Sequence, residues 1–115
     1  MKRRATIFAL ALIACTAAQA KRLAVPDENA ATLKASALIE KYELTSDKIE
    51  CLDFQITDEG KDFLIQVREN HTPACGGDPN FAPTLFFMKI RKSDGRALTD
   101  DYDAETFQPL RKPKH

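Results

Sequence analysis

The fold of this chain is decided by residues 52–68, which read LDFQITDEGKDFLIQVR. Apolar side chains alternate with polar ones on both sides of a short acidic turn. This period of two predicts strands, because successive side chains of a strand point to opposite faces. Gly60 supplies the positive φ that a tight turn requires. The stretch therefore predicts a β-hairpin with one apolar face.

The residues before the hairpin predict an amphipathic helix from Glu28 to about Tyr42. Asp27 stands where a helix N-cap belongs, and Glu28 in the first turn favours the helix dipole. The apolar residues that recur at spacings of three and four are Ala31, Ala35, Leu38, Ile39 and Tyr42. Their largely small side chains suit a helix that lies close against a sheet.

A loop rich in proline and glycine follows the hairpin over residues 70–83, and a third strand follows the loop. That strand is predicted by the alternation of Phe86, Met88 and Ile90 with their neighbours. Beyond residue 97 the apolar signal thins to Tyr102, Phe107 and Leu110. We therefore predict one α+β domain, in which an N-terminal helix packs on a three- to four-stranded antiparallel sheet.

The first twenty residues have the layout of a secretory signal peptide, with basic residues, then an apolar run, then Ala18-Gln19-Ala20 as a cleavage site. An alternative is that residues 12–15 form a bacterial lipobox, in which Cys15 becomes lipidated and anchors the chain. Both alternatives place the mature protein in the periplasm, outside the cell or on the envelope. A membrane association is expected only if Cys15 is lipidated.

We predict four segments: a signal peptide over 1–20, a lead-in over 21–29, one domain over 30–110 and a basic tail over 111–115. The whole chain has 17 basic and 17 acidic residues. Removal of residues 1–20 would leave 14 basic and 17 acidic residues, a net charge of −3. Such a charge argues against a nucleic-acid partner. The tail has the composition of a solvated end.

Two cysteines, Cys51 and Cys75, remain beyond the predicted cleavage site. An even pair in a short exported chain indicates a disulfide. The hairpin brings the beginning of its first strand near the end of its second, so Cys51 lies beside the loop that contains Cys75. We therefore expect the disulfide to tie the loop to the edge of the sheet.

The residues do not predict an enzyme, a metal site or a cofactor. His71 is the only histidine besides the last residue, and it has neither a nucleophile to activate nor a metal-ligand spacing. The acidic run 100–105 lacks the glycine and the spacing of a calcium loop. Gly76-Gly77 precedes no helix and no Lys-Ser/Thr pair, so it does not indicate a phosphate site.

The order helix, strand, glycine turn, strand, loop, strand and the turn Ser93-Asp94-Gly95-Arg96 resembles the PepSY-like domains of secreted bacterial proteins, over about residues 30–98. The resemblance implies a helix on an antiparallel sheet, and inhibition of peptidases or accessory binding in the envelope. The disulfide and the segment 75–79 depart from the PepSY pattern. They resemble features of small periplasmic immunity proteins that block a cell-wall-degrading toxin.

Two surfaces are candidates for binding a partner protein. The first is the loop from His71 to Pro83, which prolines stiffen and which offers Asp78, Asn80 and Phe81 near its tip. It could instead be a long connection that the disulfide merely stabilises. The second is an apolar patch on the sheet face away from the helix, formed by Leu64, Leu85 and Phe87. The C-terminal segment, through Tyr102 or Phe107, could cover this patch.

The sequence thus predicts an exported protein that binds and inhibits or neutralises another protein, such as a hydrolase, peptidase or cell-wall-degrading toxin. The alternative is an accessory or sensing module that holds a small ligand or a peptidoglycan fragment between helix and sheet. The sequence does not indicate an oligomeric state.

Overall fold

A computed structural model describes residues 22–113, so the predicted signal peptide and Cys15 lie outside the described residues. The elements are helix α1 (Glu28–Tyr42), a 3₁₀ turn (Ile49–Cys51) and the strands β1 (Leu52–Asp58), β2 (Asp62–Glu69), β3 (Thr84–Arg91), β4 (Ala97–Thr99) and β5 (Gln108–Pro109). One helix packs on one antiparallel sheet, which confirms the α+β class.

Helix α1 begins and ends for local reasons that are visible in the sequence. The Asp27 side chain accepts a hydrogen bond of 2.8 Å from the Ala30 N–H and so caps the first turn. At the other end Glu43 adopts a left-handed conformation with φ 51°, and its N–H donates to the carbonyls of Glu40 and Ile39. The predicted boundaries of the helix are confirmed.

The predicted hairpin is confirmed as β1 and β2, paired so that Phe54 lies opposite Val67 and Ile56 opposite Ile65. In the turn the Asp58 carboxylate accepts a 2.8 Å bond from the N–H of Gly60, whose φ is 92°. Such an Asx turn followed by a residue at positive φ needs glycine at that position.

The sheet has five strands in the order β1-β2-β3-β4-β5, so the prediction of three to four strands was wrong. Strand β4 spans three residues and β5 two, and β5 ends in Pro109. Segments this short cannot display a period of two, which is why the sequence did not indicate them. They form where the chain folds back beside β3 after the turn at Gly95.

The core lies between α1 and one face of the sheet. The helix contributes Ala31, Ala35 and Ile39, and the sheet contributes chiefly Leu52, Phe63, Ile65, Val67, Phe86, Met88 and Ile90. Val25, in the predicted lead-in, is also buried there, and its N–H donates to the Lys92 carbonyl at 2.9 Å. The lead-in therefore forms part of the fold.

Within residues 22–113 no helix has both the length and the apolar character that crossing a bilayer would require.

Candidate functional site

The loop between β2 and β3 is fixed at its base. The Cys51–Cys75 disulfide forms as predicted, with the two Cα atoms 5.7 Å apart. The N–H of Asn70 donates to the Cys51 carbonyl at 2.8 Å, and that of Glu69 donates to the Pro83 carbonyl at 3.0 Å. The loop is thus held at both ends and at Cys75. A disulfide of this kind indicates a compartment outside the cytoplasm.

The side chain of His71 holds the middle of the loop. Its Nδ1 lies 2.7 Å from the backbone carbonyl oxygen of Asp78, and its Nε2 lies 2.6 Å from Oε1 of Glu69. Only 14% of the side chain is exposed. The ring therefore connects the end of β2 to the far part of the loop, which the disulfide does not reach.

Both ring nitrogens of His71 face acceptors, and this fixes the charge state that suits the site. A neutral imidazole has one N–H and can satisfy only one of the two oxygens, whereas the imidazolium donates to both. In line with this geometry, the hydrogen bond to Glu69 and then the one to Asp78 raise the pKa of His71. Partial desolvation opposes the rise. The charged form of His71 therefore stabilises the loop.

Asp47 adds a second carboxyl group to this cluster. Together with Glu69, His71 and the disulfide it lines an open cleft of about 220 Å³. Burial raises the pKa of Asp47, and the charge of Glu69 and a hydrogen bond to it act in the same direction, while His71 opposes them. We call Asp47, Glu69 and His71 the loop-base cluster.

We expect the loop to lose stability as the pH rises, because the folded-state pKa of His71 is raised above its ordinary value of 6.5. The stabilisation is fully present below the unfolded pKa and is lost as the pH rises through the folded one. The checks are an NMR titration of the His71 ring and urea unfolding between about pH 5.5 and pH 8.5. His71→Gln should remove most of the pH dependence in this range. A ring that titrates at or below its ordinary value would contradict the expectation.

Two glycines in the loop have positive φ but different surroundings. Gly76 has φ 79° and open space where a Cβ would stand. Gly77 has φ 86°, and a Cβ there would lie 2.8 to 2.9 Å from atoms of the His71 ring. The backbone at Gly77 thus packs directly on the imidazole, and only glycine permits this approach.

These two glycines provide a matched test of the histidine contact. Gly76→Ala should cost about 1 kcal/mol of unfolding free energy, the usual penalty for a left-handed non-glycine residue. Gly77→Ala should cost clearly more, because it must also displace the ring and break its two hydrogen bonds. Urea unfolding of both variants measures the difference, and the His71 ring titration should change only in Gly77→Ala. Equal losses would show that the ring contact does not matter.

The tip of the loop is ordered by Asp78 and presents an aromatic ring to solvent. The Asp78 carboxylate accepts from the Asn80 N–H at 2.9 Å, and its backbone carbonyl accepts from the Phe81 N–H at 3.1 Å. Phe81 is 60% exposed. Asp78 and Asn80 are exposed as well. The structure therefore brings the predicted tip residues together on one fixed turn.

The predicted apolar patch is divided by an irregularity in the sheet. The register between β2 and β3 shifts at Val67 and Arg68, so β3 carries an extra residue there. Leu64, Leu85 and Phe87 are all half-buried, and Leu85 packs against the core. On the same face as Leu64, the Lys89 ammonium lies 5.0 Å from the centroid of the half-buried Phe107 ring. Tyr102 packs against the core instead.

Acidic residues near the C-terminus serve local structure. The Asp100 carboxylate accepts a hydrogen bond of 2.7 Å from the Phe87 N–H. The two carboxylate oxygens of Asp103 accept hydrogen bonds from the Glu105 N–H and the Thr106 hydroxyl. Across the part of the chain that is described, no group of three or more His, Cys, Asp or Glu side chains could hold a metal ion.

The predicted basic tail begins as ordered structure. The Arg111 N–H donates to the Tyr102 hydroxyl at 2.8 Å, and its guanidinium lies 4.3 Å from the centroid of that ring. Residues 114 and 115 lie outside the described part.

No protein-family model, no curated protein and no solved structure matches this chain. The PepSY-like resemblance is therefore still a prediction from the order of the elements.

Sequence reasoning missed two members of the loop-base cluster, Glu69 and Asp47. Glu69 and His71 are two residues apart at the end of a strand, a spacing that puts two side chains on one face and could have indicated their contact. Asp47 had no such signal, since its position depends on how the segment after α1 folds back toward the loop.

Proposed function

We propose that this chain is an exported binding protein that restrains another protein, and that the loop from His71 to Pro83 is its contact element. The observation that carries the proposal is the contrast within this loop. Its base is held by a disulfide and by the two hydrogen bonds of His71, while Phe81 at its tip is 60% exposed. A rigid loop loses little conformational entropy on binding, and an exposed aromatic ring is a typical anchor.

The proposed partner is a hydrolase, a peptidase or a cell-wall-degrading toxin. A rigid protruding loop suits a concave surface, and enzyme active sites are concave. Asp78 and Asn80, which are exposed on the same turn as Phe81, offer polar contacts at the rim of such a site. The resemblance to PepSY-like and immunity proteins supports the same class of partner.

The alternative, a module that holds a small ligand between helix and sheet, has less support. The space between α1 and the sheet is filled by side chains that are fully or almost fully buried, among them Ala35, Ile65 and Met88. A filled apolar core leaves no room there for a peptidoglycan fragment.

Phe81→Ala tests the contact element. We expect it to weaken binding of the partner by at least about tenfold, the effect of losing an aromatic anchor, and to leave stability unchanged. The matched control is Leu33→Ala, since Leu33 is 64% exposed on the helix and far in the sequence from the loop. The wild-type protein and the two variants are each used to capture binders from envelope and secreted extracts. The activity of a captured hydrolase is then assayed with and without the wild-type protein.

Loss of capture in Phe81→Ala but not in Leu33→Ala, with a hydrolase whose activity falls on binding, is the expected result. Deletion of residues 76–80 should abolish capture as well. Undiminished capture by both loop variants would contradict the loop assignment. Capture of a protein whose activity does not change would contradict inhibition.

A further inference from the structure

The two edges of the sheet differ in how they are protected. Strand β5 has two residues and contains Pro109, features that discourage pairing with another chain. Strand β1 has seven residues, with neither proline nor lysine among them. Natural sheets usually protect a long edge with such residues. Within residues 22–113 β1 is thus the longer and less protected edge.

The backbone groups that β1 directs outward can be assigned from its pairing with β2. The Asn70 N–H donates to the Cys51 carbonyl, and the Glu59 N–H donates to the Asp62 carbonyl. Both pairs continue the register of the hairpin, which has no bulge. Because hydrogen-bonded and non-hydrogen-bonded pairs alternate in an antiparallel ladder, odd-numbered residues of β1 bond to β2. Phe54 and Ile56 therefore direct their backbone groups away from the sheet.

The charges on β1 are neutralised within the chain. The Asp53 carboxylate pairs with Arg68 at 2.8 Å, and this hydrogen bond lowers the pKa of Asp53; the N–H of Phe54 also contributes to the lowering. Asp58 pairs with Lys92 at 2.7 Å. Each acidic residue of β1 therefore has a basic partner within the chain, and the apolar side chains Phe54 and Ile56 are only half-buried.

We propose that β1 is a docking edge for a second copy of this chain. Two β1 strands pair antiparallel around a two-fold axis at Gln55 and join two sheets into one. In this register the outward-directed residues pair with each other. Phe54 lies opposite Ile56 of the second copy, and Ile56 lies opposite Phe54 of the second copy. Each pair exchanges backbone hydrogen bonds, for which the Phe54 N–H leaves the Asp53 carboxylate. Each pair also places an aromatic ring beside a β-branched side chain, which is a favourable cross-strand pair.

Charge and strand length select this register over its neighbours. With the axis at Gln55, Asp53 lies opposite Thr57 of the second copy, and no two acidic residues face each other. An axis at Ile56 would place Asp53 opposite Glu59. An axis at Phe54 would leave Thr57 and Asp58 unpaired, because the residues before Leu52 form the 3₁₀ turn and do not continue the strand. Like charges directly opposite each other destabilise a strand pair. The sequence of β1 is therefore self-complementary around Gln55.

The axis position makes a charge-swap experiment possible. Gln55 is exposed, and at the axis the two copies of its side chain meet in a non-hydrogen-bonded pair, where side chains are closest. Gln55→Lys should leave folding intact, because the lysine lies near Asp53 in its own chain, but should weaken dimerisation by about fivefold. Gln55→Glu should weaken it as well. A mixture of the two variants should associate more strongly than either variant alone.

The measurement is sedimentation equilibrium of the disulfide-bonded protein over a concentration series that reaches about 1 mM. Gln66→Lys is the matched control, since Gln66 lies opposite Gln55 on the same sheet face but on the inner strand β2. It should leave association unchanged. A wild-type protein that stays monomeric throughout the series overturns the proposal. So does dimerisation that is insensitive to Gln55→Lys, or a mixture that does not recover association.

Discussion

Removal of the Cys51–Cys75 disulfide is expected to lower the free energy of unfolding by about 3 kcal/mol, the value that chain entropy gives for a loop of this size. The two cysteines are 24 residues apart in the sequence. In a domain of this length such a loss corresponds to a fall in Tm of roughly 12 to 24 °C. Few single changes in this chain should have a larger effect on its stability.

The comparison needs the double variant Cys51→Ala/Cys75→Ala and the parent protein. Both carry Cys15→Ser, so that the Cys15 thiol cannot exchange with the disulfide. Thermal and urea unfolding are measured with and without a reductant. The reductant should destabilise only the parent protein. A difference of less than about 1 kcal/mol between parent and double variant would mean that the loop is held without the disulfide.

The same variant separates the disulfide from the His71 contacts. Without the disulfide the hydrogen bonds of His71 to Glu69 and Asp78 can still form. We therefore expect backbone relaxation to show greater mobility in the loop while β1 and β2 stay rigid. Partner binding should weaken too, because the loop then loses more entropy when it binds.

The second large effect is expected from Ile65→Ala, at about 3 to 4 kcal/mol. Ile65 is fully buried, on β2 between Ile56 and Met88 of the flanking strands, and its side chain faces the helix. Truncation removes apolar contacts and leaves a cavity that rigid strands on both sides cannot close. Urea unfolding gives the loss of stability directly.

Leu33→Ala is the control here as well, because it removes a similar side chain from an exposed position of α1. It should change the unfolding free energy by less than about 0.5 kcal/mol. Similar losses in the two variants would contradict the location of the core between α1 and the sheet.

The elements that the sequence predicted correctly have local causes. Asp27 caps α1 whatever the rest of the chain does, and Gly60 permits the turn of the hairpin. The period of two in β1, β2 and β3 follows from burial of one face of each strand. The disulfide could be predicted because the hairpin alone brings Cys51 close to the loop.

The features that were missed depend on the tertiary fold. Strands β4 and β5 are defined by pairing with their neighbours and not by their own composition. The bulge at Val67 and Arg68 moves Leu85 toward the core, although simple alternation groups it with Phe87. Asp47 reaches Glu69 only after the segment between α1 and β1 has folded.

At the candidate site, sequence reasoning identified the loop and its tip but not what holds the loop in place. His71 was predicted as one contact residue among several. Its two hydrogen bonds and the close approach of Gly77 also give it a structural role within the loop. The contacts of His71 with Gly77 and Asp78 join residues six and seven positions apart in an irregular segment, where no period in the sequence indicates them.

The order of strands in the sheet is the same as their order in the chain. Every strand after β1 therefore pairs with the strand that precedes it, and no connection has to cross over the sheet. Pairing between consecutive strands keeps the strand contacts closer in sequence than a crossover would, and contacts that are close in sequence favour rapid folding. A polypeptide that emerges amino-terminus first, as during translocation, could form α1 and the hairpin, oxidise its two cysteines and then add the remaining strands one after another. The arrangement suits a protein that has to fold without waiting for its C-terminus.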